Sequence, residues 1–285
     1  MTIGVDLGGT NIRAGIVNAG QVLNHKKEAF HTKGSLDETI SKLKEFIRPL
    51  AFPEVSGIGI GVPSVVDVEK GIVYNVANIP SWICVPLKDI LEEEFKIPVR
   101  VSNDVNCFVL GEHQFGVLKG MKHVVGISSG TGLGSGIIIN NELFNGANCG
   151  AGEIGLLHYL DHNVEYYASG NLFSACYNTT AEAAHQRALQ GDREALGHWN
   201  EFGKHIAEAI KSVVFTYDPQ AIVLGGSLSK AFDLFSGAMY TALMDFPYPG
   251  SIQKLKIFQS KDENITVVGA AALVDRRMSV TARVA

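Results

Sequence analysis

The sequence predicts an α/β fold with two domains, and three observations support this prediction. Short apolar runs alternate with stretches of helical periodicity, as in α/β proteins. Two pairs of apolar runs, at residues 3–17 and 124–139, are each interrupted by a glycine-rich turn. The chain has 285 residues, of which 46% are apolar, so it can bury a core large enough for two domains.

The elements of the first half follow from local signals. Gln21-Val22-Leu23 predicts a third strand after the first glycine turn. Ser35 with Glu38 three residues later predicts the start of a helix, which Pro49 ends. The remaining expectations are a buried strand at 57–63, a helix at 87–95, a strand at 99–102 and a helix at 105–116.

The second half begins with the second glycine hairpin. Residues 171–217 predict a helix-rich region that Asp218-Pro219 ends. Residues 221–227 predict a strand opening into a glycine turn. The last part, 265–274, predicts a strand that runs into a helix of small residues.

Composition excludes several classes of protein. The net charge is −5 with 19% charged residues, and no basic cluster suggests a nucleic acid partner. No apolar run is long enough to cross a bilayer, and the first residues lack the features of a signal peptide, so we expect a cytoplasmic protein. Four cysteines without CxxC spacing indicate buried thiols rather than zinc ligands: Cys84, Cys107, Cys149 and Cys176.

The glycine turns are candidate phosphate sites, because glycine lets a phosphate oxygen approach backbone N–H groups without meeting a Cβ. Each turn also contains a Gly-Thr pair, and together they predict a duplicated domain that binds one polyphosphate from both sides. The residues are Gly8, Gly9 and Thr10 in the first turn and Gly130, Thr131 and Gly132 in the second. Gly225 and Gly226 predict a further nucleotide-contacting turn, although glycines there also serve packing.

Two aspartates are candidates for the chemistry. Asp104 follows a buried strand and could accept a proton from a hydroxyl nucleophile, or it could cap the next helix, and the two roles are compatible. Asp6 could hold Mg²⁺ directly or through water, or bond its own turn. Arg13 could touch phosphate or point outward.

Acidic and amide side chains further along suit a sugar, whose hydroxyls need acceptors. Glu153 and Glu165, with Asn103, are the candidates, and Glu165 could equally be a first-turn helix acid. His158, Asp161 and His162 match no trusted metal spacing, so that stretch is expected to be a polar surface loop.

The motifs occur in one order along almost the whole chain: Asp6-Leu7-Gly8-Gly9-Thr10, Gly61-Val62-Pro63 with Asp67, Asn103-Asp104-Val105-Asn106, Gly130-Thr131-Gly132-Leu133-Gly134, Gly152-Glu153-Ile154-Gly155 and Leu224-Gly225-Gly226. This set resembles the ROK family (repressors, open reading frames and sugar kinases) of the actin/hexokinase-like ATPase superfamily. The resemblance implies two actin/RNase H-like lobes around a central nucleotide and sugar cleft. The expected lobes are 1–110 with about 271–285, and 111–270.

The resemblance also implies ATP-dependent, Mg²⁺-dependent transfer of the γ-phosphoryl group to a hexose hydroxyl, in a homodimer or homotetramer. Asp104 matches the catalytic base, Asn103, Glu153 and Glu165 match sugar contacts, and the glycine turns match the phosphate loops, with Gly225-Gly226 near the adenosine. A glucokinase-like enzyme is the first expectation. A kinase for fructose or an N-acetylhexosamine, a non-catalytic sugar sensor and a sugar-independent ATPase are the alternatives.

Three departures concern the substrate more than the reaction. Leu156 stands where the family usually has a histidine, and residues 158–164 lack the cysteine cluster that with this histidine binds zinc, so zinc is not expected. His158 could replace the histidine, although it comes two residues late. Ser64 stands where many members have glycine. The chain also starts at the first turn, without the helix-turn-helix of the family's repressors, which argues against a transcription factor.

Overall fold

The computed structural model describes residues 1–8, 10–30, 32–76 and 78–274. The strands are β1 (Thr2–Leu7), β2 (Asn11–Asn18), β3 (Gln21–Ala29), β4 (Ile58–Val62), β5 (Val65–Asp67), β6 (Ile72–Tyr74), β7 (Cys84–Val85), β8 (Val99–Asn103), β9 (Val124–Ser129), β10 (Leu133–Ile139), β11 (Glu142–Leu143), β12 (His158–Tyr159), β13 (His162–Asn163), β14 (Ala221–Gly225) and β15 (Lys256–Gln259). The α-helices are α1 (Leu36–Ile47), α2 (Leu87–Phe95), α3 (Asp104–Gln114), α4 (Val164–Tyr167), α5 (Gly170–Tyr177), α6 (Ala181–Leu189), α7 (Arg193–Tyr217), α8 (Phe232–Leu243), α9 (Pro249–Lys254) and α10 (Ile265–Ala272). Strands alternate with helices, as the α/β prediction requires.

The residues divide into two compact units. The first contains 1–120, 142–151 and the chain from 262, and the second contains 121–141 and 152–261. The predicted boundaries at 110 and 271 differ from these, because 110 lies inside α3 and because α10 packs on β1 and β4 from its first turn. Residues 275–285, expected in the first lobe, lie outside the described residues. Whether the units act as the two lobes of the family fold stays a prediction.

The main sheet of the first unit has the order β3-β2-β1-β4-β8. β1, β4 and β8 are parallel, whereas β2 returns antiparallel to β1 across the first glycine turn. The central parallel strands β1 and β4 are buried on both faces, and β4 begins as the apolar run Ile58-Gly59-Ile60. Their carboxyl ends therefore meet at one edge of the sheet, where ligands of open α/β sheets bind.

The capping signal at Ser35 is confirmed. The Ser35 hydroxyl accepts from the Glu38 amide, and the Glu38 carboxylate accepts from the Ser35 amide at 2.8 Å. α1 buries Ile40, Leu43, Phe46 and Ile47, and a 3₁₀ turn containing Pro49 follows it. The helix predicted at 87–95 also has the expected bounds.

The strand predicted at the start of 265–274 is wrong, because Ile265 to Ala272 is one α-helix, α10. Val267 and Val268 favour strands locally, but every residue of this segment except Thr266 is apolar or glycine and buried, and the segment packs against β1, β4 and α3. Burial on every side of a helix outweighs the small propensity cost of β-branched residues.

The prediction of buried thiols is confirmed for one cysteine and wrong for two. Cys107 in α3 is buried and Cys149 is half-buried, whereas Cys84 and Cys176 are exposed. Cys84 begins the two-residue strand β7, and Cys176 lies on the outer face of α5 near its end. Neither position is covered by another element, which the local sequence does not reveal.

Glycines let α10 approach its neighbours at backbone distance. A Cβ on Gly59 would lie 1.7 Å from the Ala270 carbonyl oxygen, and one on Gly4 would lie 1.9 Å from the Val267 oxygen. On the other side, a Cβ on Gly269 would lie 1.8 Å from the Cys107 oxygen of α3. Sheet, α10 and α3 therefore form three layers with almost no side chain between their closest points.

The second unit has the strand order β10-β9-β14-β15, covered by helices. The helix-rich region is confirmed as α5 to α7, and Asp218 ends α7 in the left-handed conformation. Trp199 and Phe202 of α7 and Phe235 of α8 are almost completely buried and form its aromatic core. None of the helices in the described residues is long and apolar enough to span a membrane.

One ion pair lies between the first two strands. Asp6 and Arg13 are directly opposite in the β1–β2 register, and Arg13 Nε and Nη2 both donate to Asp6 Oδ2, the former at 3.0 Å. Arg13 Nη1 also donates to the Glu263 carbonyl oxygen at 2.8 Å, just before α10. Arg13 is thus held by Asp6 and by the chain before α10, with its side chain 33% exposed, and the phosphate contact considered from the sequence stays a prediction.

Gly59→Ala is expected to lower the free energy of unfolding by about 3 kcal/mol, because backbone atoms of α10 cannot move away from the new methyl group. Urea denaturation measures the change. Gly197→Ala is the control: this α7 glycine is exposed, and apart from its chain neighbours and the nearby backbone of α7 no described atom lies within 4 Å of its Cβ position. Alanine should therefore stabilise by up to about 1 kcal/mol. Equal stability of the two variants would contradict the close packing.

Arg13→Met is expected to lower the free energy of unfolding by about 2–3 kcal/mol at pH 7, because Asp6 keeps a buried, uncompensated charge. Burial raises the pKa of Asp6 above its usual range and Arg13 opposes this, so the variant's pKa rises further. Ionisation of Asp6 costs the folded state stability as the pH rises through that pKa. The deficit should therefore shrink as the pH falls and Asp6 takes up a proton.

The measurement is urea denaturation of the wild type and of Arg13→Met at a series of pH values between about 4 and 8. Arg13→Lys keeps the charge and loses the two-point contact, so its deficit should be smaller. A deficit in Arg13→Met that does not change with pH would show that lost packing, not charge, is responsible.

Candidate functional site

The edge formed by the carboxyl ends of the parallel strands brings the two candidate aspartates of the first unit together. In the register, Asp6 of β1 lies beside Gly61 of β4, and Gly61 lies beside Ser102 of β8, two residues before Asp104. Only β4 separates β1 from β8, so about 10 Å lies between the two outer strands.

Cys107 lies beside both aspartates. Burial raises the pKa of the Cys107 thiol well above its usual value, and the negative charges of Asp104 and then Asp6 raise it further. A Cβ on Gly61 would lie 3.1 Å from Cys107 Sγ and 3.2 Å from the Asp104 Cα. The glycine therefore makes the space in which the start of α3 lies on the sheet.

Asn103, not Asp104, caps α3. Asn103 Oδ1 accepts from the amides of Val105 at 2.8 Å and Asn106 at 3.2 Å. Asp104 is the first helical residue, is half-buried, and its Oδ1 accepts from the Val105 amide at 2.9 Å. The helix dipole favours a negative charge at this position, which suits a carboxylate that must be ionised to accept a proton.

The amide nitrogen of Asn103 makes one weak hydrogen bond, which a ligand could replace. Its Nδ2 donates to the Ser64 carbonyl oxygen at 3.3 Å, a long hydrogen bond. Since Oδ1 serves the helix, a sugar contact by Asn103 would use Nδ2. Ser64 therefore contacts Asn103 through its backbone carbonyl. A glycine at position 64 could accept the same hydrogen bond.

Two polar residues beside Asp104 were not selected from the sequence. Ser102 Oγ and Asn106 Oδ1 are buried and make no hydrogen bond to any described residue, whereas Asn106 Nδ2 donates to Asn145 Oδ1 at 3.2 Å. Buried polar atoms without partners are rare and indicate a place for water or ligand. Asn106 belongs to the Asn103-Asp104-Val105-Asn106 motif quoted from the sequence. Only its burial, which the sequence does not show, distinguishes it from an ordinary helical asparagine.

The first glycine turn is described except for Gly9, which lies outside the described residues. The Gly8 amide donates to the Asn11 carbonyl at 2.9 Å, and a Cβ on Gly8 would lie 3.0 Å from that same oxygen. Thr10 is exposed, and its hydroxyl accepts from Asn11 Nδ2 at 3.0 Å. The turn thus presents an accessible hydroxyl shortly after buried Asp6 and Leu7.

Asp6 fits a magnesium ion only through one oxygen. Both hydrogen bonds from Arg13 to Asp6 go to Oδ2, which leaves Oδ1 as the atom that can face a ligand. Mg²⁺ in phosphate sites often takes one or two carboxylates together with waters and phosphate oxygens. A single buried carboxylate oxygen next to a phosphate-type turn is compatible with such a site, most simply through water.

In the second unit, two glycine turns lie side by side. Gly225 of β14 is beside Ser128 of β9, and Gly226 has φ +82° with its Cβ position 2.2 Å from the Ser129 carbonyl oxygen. Only glycine can adopt this turn at this distance. A Cβ on Gly130 would lie 3.3 Å from Ser227 Oγ, so the structure brings residues 130–132 and 225–227 together. Thr131, Gly226 and Ser227 are exposed there.

The two glutamates also lie near each other and near the second turn. Glu165 Oε2 accepts from the Leu133 amide at 2.8 Å, immediately after Gly132. Glu153 keeps access to solvent, yet the surrounding protein removes part of its hydration and raises its pKa, to which the negative charge of Glu165 adds. Glu165 lies in the first turn of α4, which was one of the two roles considered from the sequence. Its side chain also accepts the hydrogen bond from the Leu133 amide next to the second glycine turn.

The stretch after Leu156 is a small hairpin, β12–β13, and not a loop, although His158, Asp161 and His162 are exposed at the surface as expected. Tyr159 bonds His205 of α7 at 3.1 Å, and a hydrogen bond to Asp161 raises the pKa of Tyr167 to about 12. These contacts with α7 and within the hairpin give the stretch a fixed backbone that its polar composition did not indicate.

Leu156, at the position of the family's histidine, and His158, its possible replacement, are both on the surface. Leu156 is 65% exposed. His158 is exposed, and its strand pairs with Asn163. In the described part of the chain, no three His, Cys, Asp or Glu side chains are close enough to hold a metal.

Comparison with known proteins places this geometry in a family. The ROK family model matches residues 2–277. The chain is 28% identical to the glucokinase of Thermotoga maritima over 97% of this chain and 98% of that protein. It is 32% identical to the glucokinase of Streptomyces coelicolor, covering 82% and 84% respectively.

A solved structure agrees. The ROK family glucokinase of Streptomyces griseus, in complex with glucose and AMPPNP, superposes with a TM-score of 0.82 at 27% identity, covering 95% of this chain and 98% of that one. The resemblance and the α/β fold class predicted from the sequence are therefore confirmed: this chain belongs to the ROK family.

Proposed function

We propose that this protein is an ATP-dependent hexose kinase that transfers the γ-phosphoryl group of ATP to a sugar hydroxyl. The observation that carries the proposal is the placement of Asp104 and the first glycine turn at the same edge of one sheet. A proton acceptor and a phosphate cradle are the two parts that phosphoryl transfer needs from a protein. The glucokinase relatives support the same reaction.

Asp104 is the proposed general base. It takes the proton from the sugar hydroxyl as that oxygen attacks the γ-phosphorus, and the bond to the β-phosphate oxygen breaks, releasing ADP. The first-turn position of Asp104 in α3 keeps its carboxylate oriented by the Val105 amide. Removal of this base is expected to cost turnover and leave nucleotide binding in place.

The glycine turns are the proposed phosphate contacts, through the backbone N–H groups of Gly9 and Thr10 and of Thr131 and Gly132, with Gly225-Gly226 next to the adenosine. The N–H groups of Gly8 and Gly130, also expected from the sequence to bind phosphate, instead donate to the Asn11 and Gly132 carbonyl oxygens at 2.9 Å. Asp6 is the proposed contact for Mg²⁺, through water. When bound, Mg²⁺ neutralises charge on the phosphate oxygens. Preorganised N–H donors stabilise the same charge without reorganising during the reaction.

Asn103, Glu153 and Glu165 are the proposed sugar contacts. Carboxylates accept hydrogen bonds from hydroxyls, and Asn103 Nδ2 supplies a donor. Positioning a hydroxyl in this way contributes through orientation and not through covalent chemistry. Glucose is the first expected substrate, with fructose and N-acetylhexosamines as alternatives. A cytoplasmic location and a homodimer or homotetramer belong to the same proposal.

The test is ADP release with Mg-ATP across a panel of hexoses and N-acetylhexosamines, for the wild type and Asp104→Asn. We expect sugar-dependent release from the wild type and a fall in kcat of about 10²–10⁴ in the variant, the usual contribution of a general base. Affinity for Mg-ADP, measured by calorimetry, should stay within about twofold, because asparagine has nearly the same shape as aspartate and only the charge is removed.

The outcomes separate the alternatives. Near-normal kcat in Asp104→Asn would exclude Asp104 as the base. ADP release without any sugar would indicate an ATPase. Nucleotide binding without release, whatever the sugar, would indicate a sensor that lacks the chemistry.

A further inference from the structure

A short segment of the second unit, residues 165–170, is bonded to the second glycine turn at three points, and we call it the turn strap. Glu165 Oε2 accepts from the Leu133 amide at 2.8 Å. Ser129 Oγ donates to the Ala168 carbonyl oxygen at 2.7 Å, and the Gly170 amide donates to the Gly130 carbonyl at 2.8 Å. The strap therefore holds the turn on both its sides.

The Glu165 contact is the one of these three that involves a charged group, and charge-assisted hydrogen bonds are the stronger kind. The carboxylate also lies directly against the turn, since a Cβ on Gly132 would lie 2.5 Å from Oε2. Gly155 allows the same closeness from the other side, because its Cβ position is 2.3 Å from the Leu133 carbonyl oxygen. The Glu165 hydrogen bond and the close approaches at Gly132 and Gly155 all lie next to Leu133, so the carboxylate fits closely against the turn.

The far side of the strap is anchored without Glu165. Asn163 Oδ1 accepts from the Tyr166 amide at 2.8 Å and caps α4. The Tyr167 ring lies 5.0 Å, centroid to centroid, from that of His205 in α7. A change at position 165 therefore removes the contact with the turn and leaves the backbone of the strap supported.

We propose that Glu165 is a positioning residue for the second glycine turn, so that nucleotide affinity depends on its carboxylate even when no sugar is bound. The inference rests on the proposed function, in which Thr131 and Gly132 contact the phosphates. Oε2 is committed to the Leu133 amide and Oε1 remains for a sugar hydroxyl, so one side chain serves both substrates.

Glu182 is the matched control. It is the second residue of α6, as Glu165 is the second residue of α4, and both are first-turn acids. Glu182 is bonded to Gln186 on its own helix. Glu182→Ala therefore removes the same charge from the same helical position without touching the turn.

The experiment measures the Kd for Mg-ADP in the absence of sugar by calorimetry, for the wild type and four variants. Glu165→Ala should weaken binding about tenfold, the equivalent of one lost hydrogen bond to a charged group. Glu165→Asp keeps the charge but is too short to reach Leu133, so it should weaken binding similarly. Glu165→Gln keeps an oxygen acceptor at full length but loses the charge, so its affinity should lie between those of the wild type and Glu165→Ala. Glu182→Ala should match the wild type.

Wild-type affinity in both Glu165→Ala and Glu165→Asp would overturn the inference while leaving the kinase proposal standing. An equal loss in Glu182→Ala would also overturn it, because the effect would then belong to helix acids in general. Failure of the wild type itself to bind Mg-ADP would overturn the proposed function together with this inference. Thermal melting of each variant identifies any that fails to fold, and Glu165→Asp then decides the matter alone.

Discussion

Helix α10 lies against the main sheet of the first unit with backbone touching backbone, and the positions of both acidic candidates there depend on that contact. Gly4 and Gly59 admit the helix from the sheet side, and Gly269 admits α3 from the other. The chain just before α10 accepts from Arg13, which holds Asp6, and α3 begins with Asp104. The close packing of α10, which the glycines allow because they have no side chain, therefore fixes the carboxylates of Asp6 and Asp104 at one edge of the sheet.

The acidic groups of the two units have opposite electrostatic settings. Asp6 is buried and paired with Arg13, whereas Glu153 has a pKa raised first by loss of hydration and then by the negative charge of a second carboxylate, Glu165. A pair of neighbouring carboxylates attracts hydroxyl donors and repels anions. Such a pair therefore suits a neutral polyol, while phosphate groups are left to the backbone amides of the turns, which carry no net charge.

Signals contained within a few residues predicted the structure well, whereas features that depend on distant contacts were missed. The Ser35 capping box, the α2 helix and the two glycine hairpins are each encoded locally, and each is present. Arg13, in contrast, bonds Glu263, 250 positions away, and the α10 segment looks like a strand until its burial on every side is known.

The candidate site divides in the same way. The types of residue at the turns and after β8 indicated phosphate and proton chemistry, but the capping role considered for Asp104 belongs to Asn103. Both residues are good caps, and only the backbone conformation distinguishes them. The link between Glu165 and Leu133 was likewise invisible, because 32 residues separate them and neither sequence neighbourhood indicates the other.

Leu156 has a consequence for how such a protein diversifies. The residue is 65% exposed, while its backbone ends a 3₁₀ turn that starts directly after Glu153 with the buried Ile154. A position with a rigid backbone and an unconstrained side chain can accept new residues without loss of folding. The sequence can therefore vary at this position, in contrast to Gly152 and Gly155 close by, where any side chain would collide with the neighbouring strand.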